Sequence, residues 1–153
     1  MEDTDRRIVD LLTQDGRMSY TDLARGTGLS VSAVHQRVRR LEQRAVIRGY
    51  TARVDPAAIG LPLTAFVALT PIDPAAPDEV PAQLADLAEV EDCHSVAGTE
   101  SYLLMVRVAS PVALEGLLAE LRARCGMATR TTVVLSTPFE GRPTPAASSV
   151  GQG

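Results

Sequence analysis

Lysine is absent from this 153-residue chain: all fifteen cationic side chains are arginine, set against nineteen acidic ones. Arginine can grip a phosphate or a guanine edge with two parallel bonds, although a genome's base composition produces the same bias. Cysteine is scarce as well. Cys93 and Cys125 stand far apart and in no CxxC arrangement, which disfavours both a disulfide framework and a zinc site and leaves two free thiols, expected to be buried or half-buried. The only histidines are His35 and His94; His94 beside Cys93 makes two metal ligands with no third nearby, so a packed or interface histidine is expected, and no metal. No stretch approaches the roughly 18 apolar residues of a membrane-spanning helix. The opening residues, MEDTDRR, are charged where a signal peptide turns apolar, so a cytoplasmic protein with no membrane partner is expected. Its glycines form neither a P-loop nor a dinucleotide fingerprint. With no catalytic signature and no internal repeat, neither catalytic residues nor a cofactor are expected.

What the chain does have is an uneven distribution of charge. Residues 1–50 carry nine arginines against seven acids, whereas residues 51–153 carry six against twelve. Between 30 and 50 there are five arginines and a single acid, Glu42, a local positive field inside a net-acidic protein. That stretch includes Ser30–Arg44, SVSAVHQRVRRLEQR, in which Val34, Val38 and Leu41 recur on one helix face. The other faces carry Ser32, His35, Gln36, Arg39, Arg40 and Gln43. A shorter helical pattern, Tyr20–Arg25, precedes it through Gly26-Thr27-Gly28-Leu29, a connection of the length and glycine content of a helix-turn-helix. A first helix capped by Asp3 or Thr4 and running to about Asp15, with Ile8, Leu11 and Leu12 inward, supplies the support. Ser19 caps the second helix, with Asp22 three residues on, and Ser30 caps the third. The first turn of that third helix points free N–H groups outward, where a phosphate can sit.

Beyond this unit, residues 47–54 alternate around Gly49 as a short wing or linking strand would. Asp55-Pro56-Ala57-Ala58-Ile59-Gly60 has a capping acid, a first-turn proline and a terminal glycine, and forms a compact joint. The pattern then changes to strand, helix, strand, strand, helix, strand. The strands are Thr64–Pro71, Glu91–Ala97, Tyr102–Ala109 and Thr129–Thr137; the helices are about Pro77–Leu87 and Pro111–Arg124. This order predicts an α+β ferredoxin-like βαββαβ sandwich, with two helices on one face of an antiparallel sheet. Strands such as Ala65-Phe66-Val67-Ala68-Leu69 and Leu103-Leu104-Met105-Val106 are apolar on both faces, so a second sheet is expected to cover the face the helices leave open, making a homodimer. Residues 140–153, rich in Pro, Gly, Ser and Ala, read as a disordered tail.

The chain resembles the Lrp/AsnC (leucine-responsive, or feast/famine) transcriptional regulators over about 3–139. The resemblance rests on Asp5-Arg6-Arg7-Ile8, Gly16-Arg17, Asp22-Leu23-Ala24, Gly28-Leu29-Ser30-Val31-Ser32 and Arg37-Val38-Arg39-Arg40-Leu41-Glu42. It continues through Val46-Ile47-Arg48-Gly49-Tyr50, Asp55-Pro56, Gly60, Val90–Gly98 and Tyr102-Leu103-Leu104. It implies a winged helix-turn-helix DNA-binding domain (1–50), a linking strand and turn (51–60), and a ferredoxin-like effector-binding and oligomerisation domain (61–139). Its partners would be double-stranded DNA, an amino-acid effector and a second copy, with four dimers able to form an octamer. The expected DNA contacts are Ser30, Ser32, His35, Gln36 and Arg39, of which Ser32, His35, Gln36 and Arg39 reach base edges, with Arg37, Arg40 and Arg48 on phosphates. In the family the loop between the second and third sandwich strands lines the effector pocket, completed by the start of the last strand. This carries over to Gly98, Thr99, Glu100, Ser101 and Tyr102, with Thr129 and Thr131. Members commonly have aspartate where this chain has Ser101, so either Glu100 meets the ligand's amino group or the ligand preference differs. A non-sensing architectural DNA-binding protein is one alternative. A haem-biosynthesis decarboxylase of similar architecture is another, disfavoured by having two histidines and arginines clustered on one helix.

Replacing Arg39 by alanine is expected to lose about 1–3 kcal/mol of binding at a specific site and to change binding to random duplex little. Equal losses on both duplexes, measured by titration, would contradict its assignment to a base edge.

Overall fold

The computed structural model describes residues 1–73, 75 and 79–143. The chain divides into two units, one built on Met1–Arg53 and the other on Val54–Pro138.

In the first unit the apolar spacing does what it predicts. Helices α1 (Asp3–Gln14), α2 (Tyr20–Thr27) and α3 (Val31–Gln43) close around buried Ile8, Leu23, Ala24, Val34, Val38 and Leu41, with Leu11, Leu12, Leu29 and Ile47 packed beside them. Ser19 and Ser30 cap α2 and α3 by accepting from the N–H groups of Asp22 and Ala33, at 3.1 and 3.2 Å. Two glycines in the connection have separate reasons. Gly28 adopts φ +72°, which closes α2 in the left-handed region. At Gly26 an added Cβ would come within 2.8 Å of Leu11 Cδ1, so α1 and α2 approach closely there.

Two local expectations differ. Helix α1 is not capped by Asp3 or Thr4: its N-cap is Glu2, whose side chain makes no cap bond because Arg37 takes it. The strand expected over 47–54 does not form. The backbone leaves α3 through Val46 and Ile47 N–H groups that both donate to Leu41 O, and beyond it these residues have no ladder partner among the described residues, which a strand requires.

In the second unit Asp55 Oδ1 accepts from Ala57 N at 3.0 Å, a 3-10 turn follows at Ala57–Ile59, and Gly60 ends it with φ +85°. Then come β1 (Leu63–Pro71), α4 (Val80–Leu84), β2 (Val90–Ser95), β3 (Tyr102–Val108), α5 (Pro111–Cys125) and β4 (Met127–Val133). The sheet is antiparallel in the order β2-β3-β1-β4, the topology of the predicted α+β βαββαβ sandwich. Helix α4 is shorter than the expected 77–87. Residues 77 and 78 lie outside the described residues, and after Leu84 the chain runs in turns, with Leu87 N donating to Leu84 O. Strand β4 begins two residues earlier than expected because Gly126, at φ +59°, closes α5 and reverses the chain at once. It also stops sooner: Val134 N makes the last bond to the sheet, on Thr64 O, and Leu135 is 97% exposed.

Register assigns the faces. Ala65, Val67 and Leu69 of β1 with Tyr102, Leu104, Val106 and Val108 of β3 form one core with Val80 and Leu84 of α4 and Leu114, Leu117 and Leu121 of α5. The opposite face carries Phe66, Ala68, Leu103 and Met105, and Phe66 is 39% exposed. His94 of the edge strand β2 stands opposite Leu103 on this face and is exposed rather than packed. Of the tail expected over 140–153, residues 144–153 lie outside the described residues. Before them, the Glu140 carbonyl accepts from Arg53 Nη2 at 2.7 Å.

Candidate nucleic-acid interface and effector site

Helix α3 buries Val34, Val38 and Leu41, and this rotation turns Ser32, His35, Gln36 and Arg39 outward, all exposed. Ser30, the cap, shares a 3.2 Å contact with the Ser32 hydroxyl. The His35 ring leans on Tyr20 with centroids 5.0 Å apart, which orients it at the surface. Arg39 and Arg48 are exposed. Beyond α3 the chain is held down by Tyr50, whose hydroxyl donates to Glu42 Oε1 at 3.0 Å. Partial burial, and then the adjoining Glu42 carboxylate, push this phenol up to about 12. Asp22 is held below the usual carboxylate range by the Ser19 hydroxyl and by Arg25.

Arg37 and Arg40 are placed differently from the other arginines. Asp5 of α1 is only 2% exposed. Its carboxylate accepts from Arg37 Nη1 at 2.7 Å and from Arg40 Nη2 at 3.2 Å, and Arg37 Nη1 also reaches Glu2 Oε2 at 2.7 Å. These two carboxylates raise the Arg37 pKa further above its ordinary value. A buried carboxylate needs such partners, since an isolated buried charge is strongly unfavourable. Sequence reading assigned both arginines to phosphate and overlooked Asp5. The available signal was an acid three residues before Ile8 and seven before Leu12, on the apolar face of α1.

The residues expected at the effector site fall on two sides of the sheet. Gly98, Thr99, Glu100 and Ser101 belong to the loop between β2 and β3, anchored by Ser101 N donating to Leu69 O and by Val96 N donating to Ser101 O. Tyr102 is buried in the helix-side core. Thr129 and Thr131 stand opposite Leu69 and Val67 on that same helix-facing side, and Thr129 Oγ1 accepts from Arg122 at 3.2 Å. Between them Arg130 points to the other face, opposite Ala68, and forms an ion pair with Glu100. The Arg130 guanidinium holds the Glu100 carboxyl below its ordinary value. The sequence reading names the two threonines and not Arg130, which the alternation of the strand puts on the opposite face.

The thiols also differ from expectation in one case. Cys125 is half-buried, with burial pushing its pKa up, but Cys93 is exposed on edge strand β2. It lines an open cavity of about 340 Å³ with Leu84, Leu87, Ser95 and Tyr102.

A three-helix unit presenting an exposed polar helix, joined to an antiparallel sandwich, defines a helix-turn-helix DNA-binding protein with a second, ferredoxin-like domain. Residues 1–42 match the model of the AsnC-type helix-turn-helix domain, and residues 64–144 match that of the Lrp/AsnC ligand binding domain. The HTH-type transcriptional regulator LrpA of Mycobacterium tuberculosis is 53% identical over 142 residues, covering 93% of this chain and 95% of that protein. The leucine-responsive regulatory protein of Escherichia coli is 39% identical over 136 residues, covering 86% and 82%. Among solved structures, the feast or famine regulatory protein of M. tuberculosis complexed with L-methionine matches with a TM-score of 0.92 at 52% identity, covering 95% of this chain and 99% of that one. The chain belongs to the Lrp/AsnC family. It is a DNA-binding transcriptional regulator.

The Glu100–Arg130 pair has a defined pH signature. Because the folded carboxyl lies below the ordinary value of 4.5, its contribution to stability is full above that pH and is lost as the pH falls through the depressed value. The melting-temperature difference between the wild-type chain and Glu100→Gln is expected to be constant near neutrality and to vanish on acidification. A difference independent of pH would contradict the pairing.

Proposed function

We propose that this regulator reads duplex DNA with Ser32, His35, Gln36 and Arg39 of α3 and senses a free amino acid at the loop over 98–101. In this reading Arg40 and Arg48 position the domain on phosphates, and the N-terminal turn of α3 behind Ser30 adds backbone donors. The apolar sheet face bearing Phe66, Leu103 and Met105 joins two copies, so that a dimer offers two α3 helices to successive major grooves. Four such dimers can close into an octamer. A cytoplasmic location accords with a DNA partner. The functional boundaries follow as 1–50 for DNA binding, 51–60 for the joint and 61–139 for effector binding and assembly.

The observation that carries the sensing role is the Glu100–Arg130 pair. Arg130 is 73% exposed and Glu100 23%, so both charges can be reached from solvent. An amino-acid zwitterion carries the two complementary charges: its carboxylate suits the Arg130 guanidinium and its ammonium suits Glu100, with Gly98, Thr99 and Ser101 shaping the approach. Tyr102, Thr129 and Thr131 face the helices and support the loop and strand from behind. The related protein solved with L-methionine supports an amino acid as the ligand class. The ligand acts on DNA binding through its differential affinity for alternative assemblies.

A ligand that binds the native state raises its melting temperature. A thermal-shift screen against the protein amino acids is expected to give a selective rise that is lost in Glu100→Ala. No shift with any of them would overturn amino-acid sensing and leave a non-sensing architectural regulator as the reading.

A further inference from the structure

The surface of α3 holds more positive charge than it offers to DNA. Arg37 lines the same open recess, of about 390 Å³, as Ala33, Gln36 and Arg40, so it stands beside a residue proposed to read bases. Yet its guanidinium is turned inward onto Asp5 and Glu2. Arg40 is shared: one nitrogen meets Asp5, while its side chain stays 48% exposed against 26% for Arg37. Arg39, between them in the chain, is exposed.

We infer that Asp5 is a positioning residue of the DNA-binding surface: it withholds Arg37 from the phosphates and leaves Arg40 half-committed, so the number of phosphate charges neutralised is set from α1. Two consequences follow from the geometry. The clamp fixes the rotation of α3 against α1, because Arg37 and Arg40 lie one turn apart on α3 and converge on one carboxylate. It also limits sequence-independent attraction, since each guanidinium given to a phosphate strengthens binding to every duplex equally. Selectivity is thereby gained by subtraction of charge. Asp5 touches no DNA in this arrangement and acts through the arginines. Glu2, an exposed partner of Arg37, is the weaker half of the clamp, as surface ion pairs contribute little.

The inference extends the DNA-binding role, and the salt dependence of binding separates the two. Each phosphate neutralised contributes a slope of about −0.9 to log K against log salt on B-DNA. The test is a salt titration of the full-length chain on random-sequence duplex. Asp5→Asn, nearly isosteric but neutral, is expected to steepen the slope by about 0.9 per bound domain and to reduce the ratio of specific to random binding. A slope equal to that of the wild-type chain, with binding uniformly weaker, would show that Asp5 only supports the fold and would overturn the inference. Should Asp5→Asn not fold, Arg37→Gln decides. An unchanged slope is expected, because Arg37 gives its charge to Asp5, and a slope shallower by about 0.9 per domain would place Arg37 on a phosphate and overturn it. A wild-type chain that bound no duplex would defeat the DNA-binding reading itself.

Discussion

A carboxylate buried between two helices must be met by cations, and in this protein those cations come from α3, the helix proposed to read DNA. Asp5 lies among the apolar residues of α1 and is reached by Arg37 and Arg40 of α3. Hydrophobic packing of Val34, Val38 and Leu41 holds α3 against its neighbours but is tolerant of small rotations, because apolar contact is non-directional. Two guanidinium bonds to one carboxylate are directional, and they remove that tolerance. In the proposed reading the exposed row of Ser32, His35, Gln36 and Arg39 is therefore aimed by an interaction on the flank of its own helix, beside Gln36. Such an arrangement is consequential in both directions: removing either arginine leaves the buried carboxylate with one cation in place of two, and removing Asp5 takes away the acceptor on which both converge.

The second unit is organised by a different constraint, the two-residue period of a strand. Along β4 the odd positions 127, 129 and 131 face the helices, and Arg130 faces away, where Glu100 reaches it from the loop before β3. The same alternation in β1 and β3 puts Phe66, Leu103 and Met105 on the face opposite α4 and α5. The charged pair and the apolar surface thus belong to one side of the sheet. In the proposed reading an effector at Glu100 and Arg130 and a second copy seated on that face share one side of the sheet, which would give ligand and assembly a route to couple.

Much of this architecture was legible in the sequence. The three helices were readable because each has an apolar face at helical spacing and strong local punctuation: Ser19 and Ser30 as caps, Gly28 as a left-handed stop. The strand and helix order of the sandwich was readable for the same reason, since turn residues such as Asp55 and Gly60 act locally. What escaped depends on partners distant in the chain. Residues 47–54 alternate like a strand, but alternation supplies no ladder partner. The expected effector residues fall on two faces because a strand pattern tells which residues share a face without telling which face a loop will meet: Thr129 and Thr131 face the helices, while Arg130 between them meets Glu100. Asp5 looked like an ordinary acid in a first helical turn, favourable there on dipole grounds alone. Only the fold shows that two arginines more than thirty residues away converge on it.

The most direct measurement of this account is a double-mutant cycle on the clamp, read by native-state hydrogen exchange of the α3 amides in the full chain, which reports local stability without assuming that the two units unfold together. Asp5→Asn, Arg37→Gln and the double variant are compared with the wild-type chain. A coupling of more than about 1 kcal/mol between the two positions is the predicted result. Effects that add within about 0.3 kcal/mol would show that Asp5 and Arg37 act independently and would contradict the claim that α3 is aimed by their contact.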